Sequence, residues 1–505
     1  MKKTFYKGSI LVYALGVVSF VSILLLGLVQ MIASQAKFGY DAVEREKAFQ
    51  VVESCSQEYR WYLAHNTDGY TIEEVADFWE RLDPLPWGLE ADGRQWQIKN
   101  SMEVPFGECK AKIMNAPITT SKPVIVNFEG NTLRNPSIKK QIQVRFRRTS
   151  WSDYVVLSNE YASFDSKWKI KGRIMSNTGV KFDGVAYGRV YAGSESYEDS
   201  DGVSHLGVWS SQDLGISPNP PCEFNLTEGS CVFLGGKRFP VPKKDFEGIV
   251  VDLSAMRTAA KKPDGNTIDG CNYGGTNNCY FSNSGKVGKY ITLKNDNTFD
   301  IITVKDYNST SFAIKNTMGT ASNFNIPDDG IIFVDDNVWI AGTLNDRRIT
   351  IVAGGNGTSE GNIYVGMGDL KYTNKDGRDV LGLIANGSIA YTLDKKICNG
   401  TCVSDLNLEI DAAMIAKDGE IGRPGFNENC CGGGCALKKN RIDIYGSIVS
   451  NAFIQFADSK DCPGKGIKDV GFDIKKIEYD NNLYLNPPPF FPTDVYYTAD
   501  LWNEL

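Results

Sequence analysis

The chain has 505 residues, of which 42 % are hydrophobic, 11 % aromatic and 23 % charged. These values exclude wholesale disorder, and the length is too great for one hydrophobic core, so two or three domains are expected. The net charge of −7 argues against a generally basic nucleic-acid binder. The two histidines, His65 and His205, leave little room for histidine-based metal sites or for a Ser-His-Asp enzyme.

A long apolar segment follows three lysines at the N-terminus. Lys2, Lys3 and Lys7 precede residues 8–36, which carry no charge and span about 40 Å as a helix. That length crosses a hydrocarbon core of about 30 Å, and the lysines predict a cytoplasmic N-terminus with the bulk of the chain outside. The alternative is a secretory signal cleaved after Ala36, but the apolar core of a signal is typically about 7–15 residues. The length therefore favours a retained single-pass anchor.

The predicted helix continues beyond the membrane. Residues 37–65 contain no proline, and Phe49, Val52, Tyr59 and Leu63 recur at helical spacing among charged residues. We therefore expect one helix over residues 9–65. Its first half is apolar all round, and the apolar stripe of its second half is expected to pack against a soluble domain.

These residues resemble the N-terminus of a type IV pilin-like protein, and of PilX-like minor pilins in particular. The shared features are a lysine-bearing leader, Gly8-Ser9, the apolar helix and the segment AFQVVES at residues 48–54. The resemblance implies that a prepilin peptidase cleaves between Gly8 and Ser9 and methylates the new N-terminus, and that the chain associates with other pilin-like subunits. Most major pilins have glutamate as the fifth mature residue, where this chain has Tyr13. The departure narrows the resemblance to tip-type minor pilins, and a plain unprocessed anchor is the alternative.

All twelve cysteines follow the membrane helix, where an oxidising compartment favours disulfides. Cys55 on the helix is expected to pair with Cys109 on a strand. Short spacings predict three local pairs, which are Cys222 with Cys231, Cys271 with Cys279, and Cys398 with Cys402. The last group, of open connectivity, contains Cys430, Cys431, Cys435 and Cys462.

Zinc is the rival interpretation of the later cysteines. Cys398/Cys402 and Cys431/Cys435 are C-x-x-x-C pairs, a spacing within the range of zinc ligands. No histidine lies near them, and an external location favours oxidation of the thiols. We therefore expect disulfides, no metal and no cofactor.

Residues 66–155 are predicted to form a small domain with an antiparallel sheet. After a short helix and a proline-broken loop, apolar and polar residues alternate, as in QIQVRFRR at 141–148. Such alternation is typical of a sheet with one solvated face. The domain also carries the one basic cluster of the chain: Lys139, Lys140, Arg145, Arg147 and Arg148. We interpret the cluster as solvated strand surface; a patch for DNA or another acidic polymer is the alternative, which no aromatic platform supports.

Residues 156–485 show almost no helical periodicity. Apolar runs of about four to six residues recur between glycine, asparagine and aspartate, which suits a sandwich or a β-solenoid (a right-handed β-helix). The segments IKGRIMSNTGVKF and IYGSIVSNAFIQF share the pattern apolar-x-Gly-x-apolar-x-Ser-Asn, as stacked rungs would produce, and favour the solenoid. Four apolar side chains are then expected in a shared core: Ile170, Ile174, Val180 and Phe182. Residues 486–505 are expected to form a proline-rich extended tail on the surface or at one end.

No catalytic signature is found. The sequence GTSEG at 357–361 matches G-x-S-x-G, but that motif needs a histidine after the serine, and both histidines precede it. Paired carboxylates for sugar cleavage would come from Asp335, Asp336 and Asp346. Calcium ligands in turns would come from Asp199, Asp201, Asp328, Asp329, Asp376 and Asp379. Aspartate favours turns, and we prefer that interpretation for both sets.

The predicted architecture is mainly β with a long N-terminal α-helix. It consists of a leader at 1–8, the helix at 9–65, a small pilin-like α+β domain at 66–155, a β-solenoid with cysteine-containing loop insertions at 156–485 and the tail at 486–505. The predicted function is that of a non-catalytic, membrane-anchored surface protein, either a minor component of a type IV pilus or an adhesin with a polysaccharide or protein ligand. The alternative is a membrane-anchored β-helix enzyme that acts on carbohydrate.

Overall fold

The computed structural model describes most of the chain beyond the leader. The described residues are 9–67, 72–115, 123–199, 202–211, 232–246, 253–261, 269–271, 278–309, 311–328, 330–357, 359–392, 407–423, 438–462 and 466–505. They form a mainly β protein with one long N-terminal helix, which confirms the predicted fold class.

The chain begins with helix α1 (Ser9–Thr67), followed by α2 (Ile72–Glu80). Residues 9–67 contain no proline, so no backbone N–H is missing from the helical hydrogen bonds, and α1 continues through the change from apolar to amphipathic sequence. In its second half, Val52, Tyr59 and Leu63 are fully buried, as their helical spacing predicts. Phe49 is only partly buried at the rim of the same core.

Four antiparallel strands follow and form a sheet in chain order. They are β1 (Arg94–Lys99), β2 (Pro105–Asn115), β3 (Val124–Thr132) and β4 (Lys139–Ser150). Alternate residues of each strand face the second half of α1, so that the core contains Cys109, Val126, Phe128 and Val144 together with Tyr59. We call this helix-covered sheet the head.

A 3₁₀ turn (Trp151–Asp153) leads from the head into a second, larger β region, with helices α3 (Leu253–Ala260) and α4 (Asn482–Leu485) on its outside. Its strands in chain order are β5 (Val156–Ser158), β6 (Ala162–Phe164), β7 (Trp168–Lys171), β8 (Ile174–Ser176), β9 (Val180–Phe182), β10 (Val185–Ala186), β11 (Val190–Ala192), β12 (Ser196–Glu198), β13 (Ser204–Leu206), β14 (Val208–Trp209), β15 (Lys237–Arg238), β16 (Gly270–Cys271), β17 (Cys279–Phe281), β18 (Gly288–Leu293), β19 (Thr298–Tyr307), β20 (Ile314–Asn325), β21 (Gly330–Val334), β22 (Val338–Leu344), β23 (Arg348–Ala353), β24 (Ile363–Tyr372), β25 (Val380–Ala385), β26 (Ile389–Tyr391), β27 (Asn407–Ala416), β28 (Ile421–Gly422), β29 (Lys438–Ser450), β30 (Ile454–Gln455), β31 (Ala457–Cys462) and β32 (Gly466–Glu478).

Most of these strands pair in parallel and form three ladders around one core. Ladder A has the order β17-β21-β23-β25-β27-β29-β5-β8-β11-β15. Ladder B consists of β18-β22-β24-β26-β28-β30 and, separately, β6-β9-β14. Ladder C joins β22, β24, β27, β29, β32, β7 and β10. We call this region the stack, and one turn through ladders A, B and C a rung.

The stack is consistent with the predicted β-solenoid. Ile170, Ile174, Val180 and Phe182 all lie fully buried in its shared core, as expected. At the end of the stack that contains β17, strands β18, β19 and β20 form an antiparallel meander. The outer edge of β18 is therefore paired with β19 and its backbone groups are not left unpaired.

The order of the rungs does not follow the order of the chain. The chain enters at β5 and runs through β8 and β11 to β15, and it then runs from β17 to β29, whose end pairs with β5. One rung therefore combines β5 and β6 from the beginning of the stack with β32 from its end, since β32 lies between β29 and β7 in ladder C. We call it the joint rung.

The sequence repeat corresponds to equivalent positions on either side of the joint rung. Gly172 and Gly446 both occupy the corner between ladder C and ladder A, with φ of 139° and 147°. A Cβ on Gly446 would lie 2.0 Å from the Ala412 carbonyl oxygen of the next rung, so the corner requires glycine. The asparagine of each repeat joins a ladder: Asn159 donates to Asn451 (2.9 Å) and accepts from Asn177 (2.8 Å).

The C-terminal tail differs from the expectation. Its last part forms strand β33 (Thr493–Glu504), which pairs antiparallel with β4 and completes the sheet of the head in the order β1-β2-β3-β4-β33. Tyr497 is buried there against Trp79, whose Nε1 donates to the Tyr497 hydroxyl (3.0 Å). The open edge of β4 offers unpaired backbone groups, which the tail satisfies instead of lying on the surface. The head therefore combines the second half of α1 with the last strand of the chain.

Candidate functional site

The long helix has two halves with opposite surroundings. Every side chain from Ile10 to Tyr40 is exposed, whereas the buried positions begin at Glu44. In the described part of the chain, this is the one helix long and apolar enough to cross a membrane, and its most apolar stretch of 18 residues has a mean hydropathy of 2.5. A helix surface that is apolar all round needs lipid or other apolar helices around it. The predicted cleavage position lies at its start: α1 begins at Ser9, and Gly8 lies outside the described residues.

The second half of α1 approaches the sheet very closely. A Cβ on Gly107 would lie 2.4 Å from Val51 Cγ2, and one on Gly130 would lie 2.5 Å from Val52 Cγ2. Glycine on β2 and β3 thus lets the backbone of the sheet contact the valines of the helix directly. The helix is thereby held rigidly relative to the head.

Polar contacts fix the point at which the helix leaves the head. The buried Glu44 carboxylate accepts hydrogen bonds from the Thr132 hydroxyl (2.8 Å) and from Lys47 Nζ (2.9 Å). Tyr40 lies one turn before Glu44 on α1. Its exposed ring faces the guanidinium of Arg134, which is 5.8 Å from the ring centre. Residues 10–40 are exposed, and the contacts of Tyr40 with Arg134 and of Glu44 with Thr132 place the end of the apolar segment beside the β3–β4 turn.

A disulfide joins the helix to the sheet. Cys55 is bonded to Cys109 of β2, with 6.0 Å between their Cα atoms, and this is the helix-to-strand pair expected from the sequence. A second disulfide joins Cys271 to Cys279 across β16 and β17, again the expected local pair. For the remaining candidate cysteines, either the whole residue or its side chain lies outside the described part of the chain. They are Cys222, Cys231, Cys398, Cys402, Cys430, Cys431, Cys435 and Cys462.

The basic cluster is not a solvated surface, so this interpretation was wrong for its arginines. Arg147 and Arg148 are each only 5 % exposed. Arg145 and Arg147 both bind the Asp500 carboxylate of β33, and Arg147 also makes a bidentate pair with Asp153 (2.6 and 3.1 Å). Lys139 and Lys140 pair with Glu129 and Glu504 at the surface. Because carboxylates neutralise the cations, the cluster does not present a free basic patch to nucleic acid.

This network connects four parts of the chain. Asp500 belongs to the tail, Arg147 to the sheet and Asp153 to the turn that enters the stack, and the Tyr484 ring of the outgoing segment lies 4.1 Å from the Arg147 guanidinium. Burial opposes the charged guanidinium, but hydrogen bonds and the charge of Asp153 raise the pKa of Arg147. Sequence reasoning missed Asp500, since its partner Arg145 lies 355 residues away.

The aspartates considered for sugar cleavage have structural partners. Asp335 accepts from Arg257 of α3 (2.8 Å) and from the Tyr280 hydroxyl (2.6 Å). Asp336 accepts from the backbone N–H and the hydroxyl of Ser284. Asp346 is about half exposed and lies 3.4 Å from Arg378. These contacts fit the preferred role of aspartate in turns.

The aspartates considered for calcium are also placed in turns. Asp199 accepts from the Val203 N–H (2.9 Å) and binds His205 Nε2 (2.8 Å), and Asp379 accepts from the Asn374 N–H (2.7 Å). Asp376 pairs with Arg378, and Asp328 is exposed. Asp201 and Asp329 lie outside the described residues. Within the described part of the chain, no three His, Cys, Asp or Glu side chains are grouped so that they could hold a metal ion.

Comparisons with known proteins give little further information. No protein-family model and no curated protein matches the sequence. Among solved structures, the chain is similar to the competence-associated pilin ComZ from Thermus thermophilus, with 11 % identity over 92 % of this chain and 98 % of that one, and a TM-score of 0.24. A TM-score this low does not establish a shared fold. The functional inference therefore depends on the helix, the head and the disulfide themselves.

Proposed function

We propose that this chain is a membrane-anchored, pilin-like structural protein. The observation that carries the proposal is the single continuous helix, whose exposed apolar half suits a bilayer or a bundle of like helices and whose other half is the covering layer of a disulfide-linked sheet. A rigid helix of this kind transmits the position of its membrane segment directly to the head.

The disulfides support an extracytoplasmic head. Cys55–Cys109 and Cys271–Cys279 form where the surroundings are oxidising, which agrees with the orientation that the N-terminal lysines predict. The head and the stack then lie outside, and the leader lies in the cytoplasm, where a prepilin peptidase has access to Gly8. Within this proposal the role is structural and non-catalytic, as a PilX-like minor pilus component or an adhesin.

Mapping the mature N-terminus tests the proposal. Mass spectrometry of the protein from its native membrane is expected to find a chain that starts at Ser9 and carries a methyl group. Gly8→Val is expected to abolish cleavage, whereas Gly16→Val, within α1 and with no neighbour within 4 Å, leaves it intact. An intact Met1, or a start at Lys37, contradicts pilin-like processing.

Association with like subunits is tested separately. Cysteine introduced at exposed apolar positions such as Leu24 or Ile32 is expected to cross-link the processed chain to other pilin-like subunits. The matched position Trp61, exposed on the same helix beside the head, is expected to give no such product. Processing without cross-linking would support a plain processed anchor instead of a fibre component.

A further inference from the structure

The joint rung leaves a seam in one ladder of the stack. In ladder A, β29 pairs with β5, and in ladder C, β29, β32 and β7 pair in turn. In ladder B, no pairing joins β30 to β6, although both lie on consecutive rungs, and β6 belongs to a separate three-stranded sheet. The two halves of ladder B therefore separate at this level.

A cavity of about 400 Å³ occupies the seam. The buried rings of Trp168 and Phe456 form its floor, with 5.0 Å between their centres. Phe453 and Tyr161, each directly before its strand, form an aromatic rim with 5.6 Å between ring centres, and Phe453 is 48 % exposed. The volume is within the range of small-ligand sites.

Polar side chains line the walls between rim and floor. Ser163 points outward because its strand neighbours point into the core, and Gln455 does the same on the facing strand. Asp165 accepts from the Lys167 N–H (2.8 Å) and from the buried Lys475 Nζ (2.6 Å), while about half of its side chain remains exposed. Each of these groups keeps acceptor capacity for a further hydrogen bond.

We propose that this seam is a binding site for a neutral polysaccharide. The C–H face of a pyranose ring packs on an exposed aromatic rim, while hydroxyl, amide and carboxylate groups on the walls exchange hydrogen bonds with the sugar hydroxyls. The lining contains one carboxylate, Asp165, whose charge Lys475 balances, and no lysine or arginine. In the lining of the cavity an anionic polymer therefore finds no exposed cation to neutralise its charge.

A second partly exposed aromatic ring, Trp209, lies beyond the seam on the same side of the stack, which favours a polymer over a single sugar. The Tyr161 ring stacks on Tyr197 (5.8 Å between centres), and the Tyr197 hydroxyl accepts from Trp209 Nε1 (2.9 Å). The Trp209 ring is partly exposed, with His205 stacked on it at 3.8 Å. Tyr197 itself is buried, so Tyr161, directly before β6, and Trp209, in β14 two strands further along ladder B, are the partly exposed rings on this side.

Affinity electrophoresis of the full-length protein in detergent tests the site. Native gels containing dextran, laminarin, hydroxyethylcellulose or galactomannan are the probes, and at least one of them is expected to retard the protein. Gels containing heparin or DNA provide the comparison with anionic polymers. Phe453→Ala is expected to raise the apparent Kd at least tenfold, and Phe453→Tyr is expected to retain binding. Ser163→Trp, at an exposed position, is expected to abolish binding by filling the cavity.

Trp61→Ala is the matched control, because it removes an exposed aromatic ring from the head and is expected to leave the retardation unchanged. Thermal melting of each variant shows that it is folded, and Ser163→Trp keeps the test valid if Phe453→Ala does not fold. The proposal is overturned if no polysaccharide retards the wild type, if only heparin or DNA does, or if the seam variants bind as the wild type does. None of these results bears on processing at Ser9.

Discussion

The core of the head is assembled from α1, strands β1–β4 and a tail strand that lies about 350 residues further along the chain, whereas strands of the stack bury their core faces against neighbouring rungs. Helix α1, strands β1–β4 and the tail strand β33 must all be present before residues such as Tyr59 and Tyr497 are buried. In ladder A, by contrast, β21, β23 and β25 follow one another closely in sequence and in space. The head thus depends on a few distant contacts, while the stack depends on many repeated local ones. The joint rung is the exception, since it combines strands from the beginning and from the end of the stack's sequence.

The largest effect is expected from removing the tail strand. Deletion of residues 493–505 leaves the edge of β4 unpaired, removes Tyr497 from the core and leaves Arg145 and Arg147 buried without Asp500. The head is expected to lose its cooperative unfolding transition and to become sensitive to limited proteolysis, whereas fragments of the stack stay resistant. A head that remains protease-resistant would show that β33 contributes little to its stability.

Substitution of Asp500 isolates the charge network from the strand. Asp500→Asn leaves two arginines with reduced neutralisation in a site where they are at most 11 % exposed. Breaking one partner of a buried ion pair typically costs about 3–5 kcal/mol in the free energy of unfolding, which chemical denaturation would measure. Glu504→Gln in the same strand is the control, because its pair with Lys140 is at the surface and is worth at most about 1 kcal/mol.

The next largest effect on stability is expected from loss of the disulfide in the head. In Cys55→Ala/Cys109→Ala, a link that closes a loop of 54 residues disappears, and the free energy of unfolding is expected to fall by about 2–4 kcal/mol. Denaturant titration of the oxidised wild type against the variant provides the value. Equal stability of the two proteins would mean that packing of α1 alone determines the docking of the helix.

A smaller effect is expected in the stack, where one residue has neighbours on both sides. Asn159→Ala interrupts the asparagine ladder between Asn451 and Asn177, so both side-chain hydrogen bonds are lost. The free energy of unfolding is expected to fall by about 1–2 kcal/mol. Asn440→Ala serves as the control, because Asn440 is exposed and its bond to Asn407 is 3.5 Å long. Equal effects of both substitutions would argue against a special role of the joint rung.

The smallest expected effect is a difference between the head and the stack in how their stability depends on pH. Burial raises the pKa of Asp411 and Asp480 in the stack, so the folded state binds protons more readily there and gains stability as the pH falls from 7 toward the ordinary value of 3.8. In the head, the hydrogen bond from Lys139 lowers the pKa of Glu129, whose contribution is lost as the pH falls below its ordinary value of 4.5. Asp480→Asn is expected to reduce the gain in melting temperature on acidification; an unchanged pH profile would contradict the assignment.

Sequence patterns within a few residues predicted much of this structure. The features that they did not predict depend on contacts between residues far apart in the chain. Helical spacing predicted the docked stripe of α1, and alternation predicted the strands of the head, because each pattern lies within a few residues. The glycine corners and the Ser-Asn repeat likewise identified equivalent positions in rungs. The burial of Arg147 depends instead on Asp500, about 350 residues later, and nothing near QIQVRFRR indicates that partner. For the same reason, the seam between β30 and β6 has no signature in either segment.

The joint rung also sets an order of events during synthesis. Asp165 is made 310 residues before Lys475, its partner across the rung. At translation rates of about 5–20 residues per second, those residues emerge roughly 15 to 60 seconds apart. During that interval β5 and β6 have no β29 or β32 beside them, so the first part of the stack remains incomplete. The joint rung can form only after almost the whole chain has been synthesised.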